Sequence, residues 1–486
     1  MEATKPGLDP TFQAPVNHDT ILASSCIGIQ FPTFFVEHQR ATVLSKDYFL
    51  AKWADPLSSG LGFSICCRLI DEFLFTRPQS QTLHLLFSTR DTAKSDDTLR
   101  RLNAHLQKTL REANGKTQGV SLLLEGRVKI EGVLVDLTKL LTVKALAEQL
   151  LRRGEKLDSV VWNAGIPGWK GINWPRAVWA VCTDLVHACI YPTFSIPDVG
   201  LVAKRQVPFA TSPRGKAGMT SAQREEEPKL GQVFLANVFG HYMLTHWLAP
   251  LFSSTSRIIW ISSISAVAST FSLEDLQCLR SHTAYEGSKR LTDMLALTAD
   301  LPSTSPYVSK FFATSREADK PKMLVTHPGV VGTSISGLGW FMSFWMMAAF
   351  YVARLLGSPW HPITPYKGAI SAAFLAVSPP SQLLAEEARD GKGKWGSSTD
   401  VNGNERVGRT EVEGWGYCGE VGKVPRGSVI SKSVFTGKYR GHRETTREMR
   451  EQFEDDGRRA WKDMEELRLD WEARLGSVSA EATQDL

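Results

Sequence analysis

The sequence predicts an α/β fold, a doubly wound parallel sheet with an insertion and a C-terminal extension. Three observations carry that expectation. Short apolar runs recur at "TLHLLFS" (82–88), "KIEGVLV" (129–135), "LDSVVW" (157–162), "RIIWIS" (257–262) and "KMLVTH" (322–327). Each is nearly continuous rather than alternating, the pattern of a strand buried on both faces. Helix-length segments separate the runs, so successive pairs read as strand–helix–strand units with parallel strands.

A chain of 486 residues can bury a large core, alone or as several domains. Its 56 basic and 51 acidic residues leave a net charge of +5, which gives a nucleic-acid partner no compositional support. The seven cysteines lack paired CxxC spacing, so no metal site is expected and the thiols read mostly as packed side chains in a reducing compartment. The opening "MEATKPGLDP" has no basic segment leading into an apolar one, which weighs against a cleaved secretory signal. The uncharged run at 20–36 is broken by Gln, Pro and Ser and makes a poor anchor.

Taken in order, the first element with chemical content is "ADPLSSGLGFSICCRLIDEF" (54–73), the second half of a glycine-rich phosphate loop entering a helix. Gly60, Leu61 and Gly62 would there meet a pyrophosphate at the helix N-terminus. The residues just before it, "LSKDYFLAKW", make a poor strand because Lys46, Asp47 and Lys52 interrupt it. Arg90, at the end of "LLFSTR", suits a 2′-phosphate or plain solvent. Asp136, closing "GVLVD", suits an adenine amino group or the N-cap of the next helix. Asn163, Ala164 and Gly165 end "VVWNAG" and are small enough for a cofactor to approach, or form an ordinary turn.

The Pro-, Gly- and charge-rich stretch 198–227 reads as an exposed insertion. In "TAYEGSKRLTDML", Tyr285 and Lys289 stand four apart, which places phenol and ammonium on one helix face. A cation there favours phenolate and makes tyrosine a usable acid and base. The preceding run "RIIWISSISA" ends in Ser262, Ser263 and Ser265, hydroxyls at the strand end where α/β ligands bind. The uncharged, aromatic and Met-rich run 338–353 is shorter than a secure membrane span and reads as an apolar lid or a monotopic membrane contact. A charged amphipathic helix is expected over 443–476, with its polar face in solvent.

In this order the motifs resemble the short-chain dehydrogenase/reductase family, whose fold is of the Rossmann type. The resemblance runs from SGLG (59–62) through NAG (163–165), Asn237 in "FLANVFGHYML", the strand-end serines and Tyr285/Lys289 to "THPGVVGTSI" (326–335). It implies Tyr285 as proton donor, Lys289 as the cation that lowers its pKa and holds the nicotinamide ribose, and Asn237 behind a water relay. It further implies that Ser263 binds the substrate carbonyl, with Ser272 in "FSLEDLQ" as a rival, and that Asn163, Asp136, Pro328, Gly329 and Thr333 line the cofactor. From residue 59 onward, including "KWGSSTDVNGNERVGRTEVEGWGY", the chain is also similar to the fungal 3-keto-steroid reductases of sterol C-4 demethylation. Those are in turn similar to the animal type 7 17β-hydroxysteroid dehydrogenases. That likeness implies NADPH-dependent reduction of a 4-methyl-3-ketosterol to the 3β-alcohol in ergosterol synthesis. It also implies association with the other sterol C-4 demethylation enzymes, at the cytosolic face of the endoplasmic reticulum membrane or on lipid droplets.

Against the family pattern T-G-x-x-x-G-x-G, Pro56 stands at the first glycine and Asp55 at the threonine. Proline has a fixed φ and no N–H, so it replaces a turn glycine badly. The resulting expectation is that residues 1–58 come from an alternative or mis-assigned start, or from an isoform that has lost the first strand. Such an isoform would act as a structural partner rather than an enzyme. Reduction of another lipid carbonyl, such as retinal, is the remaining alternative.

Overall fold

The computed structural model describes residues 18–24, 60–207, 227–314, 320–333, 339–426, 428 and 442–484. Its central sheet is built from β1 (His18–Ser24), β2 (Thr82–Thr89), β3 (Val128–Leu134), β4 (Ser159–Trp162), β7 (Arg257–Ile261), β8 (Lys322–His327), β9 (Lys394–Thr399) and β10 (Glu405–Thr410). These eight strands lie in the order β10-β9-β8-β7-β4-β1-β2-β3. All pair in parallel except β10, which returns antiparallel on β9. A small antiparallel ribbon, β5 (Trp169–Ile172) with β6 (Ser195–Pro197), stands apart.

The five apolar runs all became strands of the parallel sheet. Strands β4 and β7, "SVVW" and "RIIWI", are buried along their whole length, as a two-sided cover requires. Helices α1 (Leu61–Thr76), α2 (Thr92–Lys116) and α10 (Ile370–Val377) cover one face. Helices α3 (Leu140–Arg153), α6 (Gly240–Trp247) and α7 (Ala284–Thr298) cover the other. The remaining helices used below are α4 (Trp174–Thr183), α5 (Leu185–Ile190), α8 (Ser305–Phe311), α9 (Trp340–Leu355) and α11 (Arg447–Gln484).

The expectation of a lost first strand is corrected. His18–Ser24 forms β1, pairing with β2 through His18↔Thr82 to Ala23↔Phe87 and with β4 through Leu22↔Val160 to Ser24↔Trp162. Lys46, Asp47 and Lys52 make the segment before residue 59 read as a poor strand, but register in a parallel sheet is indifferent to how much chain separates strand from helix. The run at 20–36 overlaps this strand, while Asp55 and Pro56 lie outside the described residues. Strand order reverses between β1 and β4, and such a reversal opens the crevice in which α/β proteins hold ligands.

The insertion is also more anchored than its composition suggests. Gln206 is buried, accepts from the Leu140 amide at 2.8 Å and donates to the Thr138 carbonyl at 3.1 Å. Glu227 accepts from the Gln206 and Val207 amides at 2.8 and 3.0 Å, and residues 208–226 lie outside the described residues. Of the cysteines, Cys67, Cys278 and Cys418 are buried free thiols, as expected of packed side chains. Cys66 departs from that reading, because it is disulfide-bonded.

Candidate active site

Each strand end supplies one part of the site. At the carboxyl end of β7 the chain is fixed by Ser262, whose amide donates to the Thr326 carbonyl at 2.7 Å and whose hydroxyl donates to the Lys289 carbonyl at 3.2 Å. Lys289, buried on α7, donates its ammonium to the Ile261 carbonyl at 2.7 Å. The same ammonium lies 5.7 Å from the centre of the Tyr285 ring. Tyr285 is half-buried, and its ring meets Trp169 of β5 edge to face at 5.6 Å. Strand β7 and helix α7 thus set Lys289 against the strand end that runs into Ser263, with Tyr285 one turn away on the same helix.

Electrostatics refine the expected roles. Burial pushes the Tyr285 phenol well above its ordinary value, and the neighbouring Glu286 adds to that. The expected lowering by Lys289 is absent, and that ammonium is bonded to the Ile261 carbonyl instead of the phenol. Lys289 is itself pushed down to about 8 by burial, with Asp293 pulling upward and Lys394 downward.

The two serines are placed differently, and Ser263 stands at the strand end. Its Oγ lies 2.8 Å from Ser265 Oγ and accepts from the Ser265 amide at 3.2 Å, in a turn directly continuing β7. Ser272 is exposed and works as the cap of a short 3₁₀ turn, accepting from the Glu274 amide at 3.3 Å and donating to the Glu274 carboxylate. That hydroxyl is committed to its own turn.

Asn237 occupies a π-helical segment, Leu235–Phe239, that leads into α6. Its carboxamide clasps the backbone of Ile166, accepting from the amide at 2.7 Å and donating to the carbonyl at 3.1 Å. The side chain also donates to Ser288 Oγ at 3.0 Å. Gly165 permits this approach, since a Cβ there would lie 2.7 Å from Asn237 Oδ1. The asparagine therefore pins the "NAG" turn to the helix beside Tyr285 and Lys289, a use of local π geometry common at functional sites.

The cofactor-side residues line the same edge. Gly60 caps α1 with no acidic residue in the first turn, and a Cβ at Gly60 would meet nothing within 4 Å. A positive helix end at the strand-order reversal is a place where an anion is favoured. Leu61 and Gly62 begin that helix. Asn163 and Ala164 are half-buried and Gly165 is exposed. Arg90 is exposed at the end of β2, whereas Asp91 is spent as the N-cap of α2, accepting from the Lys94 amide at 2.8 Å.

Asp136 does not cap α3. It accepts from the Thr138 amide at 3.0 Å and the Thr138 hydroxyl at 2.6 Å; burial would raise its pKa, but these bonds and Lys139 hold it low. The Pro328–Gly329 turn is held from behind by His327, whose Nδ1 accepts from the Gly329 amide at 3.0 Å. That bond leaves Nε2 to donate to Thr410 Oγ1 of β10 at 2.5 Å. Burial and the charge of Lys394 keep His327 neutral, as this tautomer requires. Gly329 has φ +70°, and a Cβ there would sit 2.7 to 2.8 Å from Pro362, Ser397 and Trp360. Thr333 follows on the same loop, inside the described residues.

Two residues here escape a reading of the sequence. Trp169 belongs to a ribbon too short to show a period. Lys394 opens β9, a strand of Ser, Thr and Gly without the expected apolar signature; the available signal was a lone lysine heading a segment that proved buried throughout. Among the described residues no group of His, Cys, Asp and Glu is placed to hold a metal.

A parallel sheet in this order, with tyrosine and lysine a turn apart on the helix after β7, defines a short-chain dehydrogenase/reductase, a class of nicotinamide-dependent oxidoreductases. No protein-family model matches the chain. The chain is 43% identical over 450 residues to the 3-keto-steroid reductase erg27 of Aspergillus fumigatus, covering 88% of this chain and 95% of that one. It is 34% identical over 466 residues to the 3-keto-steroid reductase of Gibberella zeae, with 87% and 94% covered. The chain belongs to the 3-keto-steroid reductase family. Salutaridine reductase from Papaver somniferum overlays with a TM-score of 0.37 at 16% identity, covering 66% of this chain and 93% of that one, and the fold rests on strand order instead.

Proposed function

We propose that this protein reduces the 3-keto group of a 4-methyl-3-ketosterol to the 3β-alcohol with NADPH, a step of sterol C-4 demethylation. The observation that carries it is the alignment over 95% of a 3-keto-steroid reductase, supported by Lys289 bonding the end of the strand that leads into Ser263. Bound nicotinamide supplies the hydride. Ser263 Oγ donates to the substrate carbonyl and polarises it. Tyr285, kept protonated by burial, gives its proton to the oxygen as negative charge develops there. The Lys289 ammonium stabilises the phenolate left behind. Because burial holds Lys289 at about 8, turnover falls as pH rises through that value and the ammonium is lost.

Gly60, Leu61, Gly62, Asn163, Ala164, Gly165, Pro328, Gly329 and Thr333 would hold the dinucleotide. Arg90 favours the 2′-phosphate form, since the acid beside it already caps a helix. An apolar surface supports a membrane-bound workplace: Trp340, Phe341, Phe344 and Trp345 of α9 are exposed. A sterol is nearly all hydrocarbon, and a lipid-facing entrance suits it. The cytosolic face of the endoplasmic reticulum, lipid droplets and the other C-4 demethylation enzymes complete this reading.

The test is turnover of a 4-methyl-3-ketosterol with NADPH and with NADH, beside retinal as competitor, with product identified by mass spectrometry. Formation of the 3β-alcohol with NADPH, abolished by Tyr285→Phe, is expected. Absence of that product, or preference for retinal, overturns the reading.

A further inference from the structure

Beneath the catalytic strand end lies a buried ion pair that the reaction as described does not use. Lys394, at the start of β9, and Asp293, one turn beyond Lys289 on α7, are 2.7 Å apart with side chains 3% and 0% exposed. The Lys394 ammonium also donates to the Ser263 carbonyl at 2.6 Å. Lys289 holds the Ile261 carbonyl in the same way at 2.7 Å. Two buried ammonium groups therefore grip alternate carbonyls where β7 turns into the serine loop. Apolar side chains would fill such a space at no loss of stability, because dehydrating two ions offsets their attraction. A pair kept there despite that cost is placed for geometry or for charge, and here it does both.

We propose that Lys394 is a positioning residue for the reduction: anchored by Asp293, it fixes the Ser263 backbone, and so the hydroxyl that meets the carbonyl, while its charge tunes Lys289. Asp293 faces both lysines and draws Lys289 upward, whereas Lys394 pushes Lys289 downward. The other groups around the pair are accounted for. Arg290 of α7 bonds to the Glu413 carbonyl at 2.7 Å and feels Asp293, Glu413 and Asp456 of α11. His327 of β8 and His241 of α6 are held neutral by burial, helped by Lys394 and Lys289 respectively. Glu286 of α7 is pushed upward by burial. Lys394 is itself held below the ordinary lysine value by burial and by Arg290, against the pull of Asp293, so Asp293, Lys289 and Arg290 are the charges it meets.

The kinetic part rests on the function proposed above. The test compares the full chain with Lys394→Met, Asp293→Asn and the double variant Lys394→Met/Asp293→Asn. In Lys394→Met, kcat for the 3-ketosterol is expected to fall about tenfold to a hundredfold, the scale of a displaced catalytic group, with NADPH affinity unchanged in a fluorescence titration. The alkaline limb of the rate profile moves to higher pH in Lys394→Met and to lower pH in Asp293→Asn. Competitive acetylation of Lys289 in the cofactor-free protein, read by mass spectrometry across pH, follows the same opposed shifts without turnover. If the wild-type chain reduces no 3-ketosterol, the function falls and the acetylation profiles still decide the role of Lys394. Loss of kcat with unmoved limbs and acetylation profiles marks a merely structural lysine and overturns the proposal. Should Lys394→Met not fold, a double variant with full kcat overturns it equally, since its two charge effects on Lys289 oppose each other and only the positioning is tested.

Discussion

Helices α9 and α11 carry the most aromatic late segments of the chain and treat them in opposite ways. In α9, which has no charged residue before Arg354, Trp340 is 83% and Trp345 55% exposed. In α11, dense with charge, Trp461 and Trp471 are fully buried. Overall apolarity did not decide burial. In α11 the buried residues Phe453, Ala460, Trp461, Met464, Trp471 and Leu475 recur at helical spacing and form one stripe, which packs on α7 and α8. Its polar side also holds the fold: Glu465 accepts from the Tyr242 hydroxyl at 2.7 Å and pairs with Arg468 at 2.8 Å. In α9 one face, with Phe350 and Ala353, packs against Val186 and Ile190 of α5, and the opposite face is just as apolar but stays exposed. Among the described residues no helix is long and apolar enough to cross a membrane. The difference leaves α9, and not α11, with a cluster of exposed aromatic side chains.

Four tests put this contrast at risk. Trp461→Ala should cost about 3–5 kcal/mol, because it empties a fully enclosed site, and a urea titration showing a loss under about 1 kcal/mol would mean that α11 is not docked. Glu465→Ala should cost about 2–3 kcal/mol by leaving Arg468 and the Tyr242 hydroxyl short of a buried partner; calorimetry of the variant beside Tyr242→Phe/Glu465→Ala separates the two contributions.

The third concerns pH. Burial would raise the Glu472 pKa, but His246, Arg468 and Trp247 outweigh it and hold the carboxylate low. Its contribution is complete above the ordinary glutamate value of about 4.3 and disappears as pH falls through the lower folded one. Unfolding of the wild type should lose this part on acidification and Glu472→Gln should not; parallel pH profiles would sink the assignment. Last, Trp340→Ser/Trp345→Ser should change stability by only about 0.5 kcal/mol, as surface changes do. The same variant should bind phospholipid vesicles more weakly in a flotation assay. Unchanged flotation would remove α9 as the lipid contact.

Legibility followed how local each signal is. The five parallel strands and the Tyr285–Lys289 face are readable because their evidence lies within one segment, in continuous apolarity or a spacing of four. Strands β9 and β10 are not, since "KWGSST" and "ERVGRT" gain their burial from tertiary neighbours, among them β8, α10 and each other. Ser263 can be preferred to Ser272 in the sequence only by its place after a strand, whereas the capping turn of Ser272 shows itself only spatially. Strand β1 hides because its helix begins far along the chain, whereas the glycine motif directs attention to the residues just before 59.

Residue order alone encodes the parallel character of the sheet, the family and the pairing of phenol with ammonium, because short-range periodicity and motif sequence are enough to specify them. Which carbonyls the two lysines grip, why Tyr285 stays protonated and which aromatic helix is left uncovered emerge only in three dimensions. Those depend on burial and on charges brought together from α7, β7 and β9, and no spacing along the chain records them.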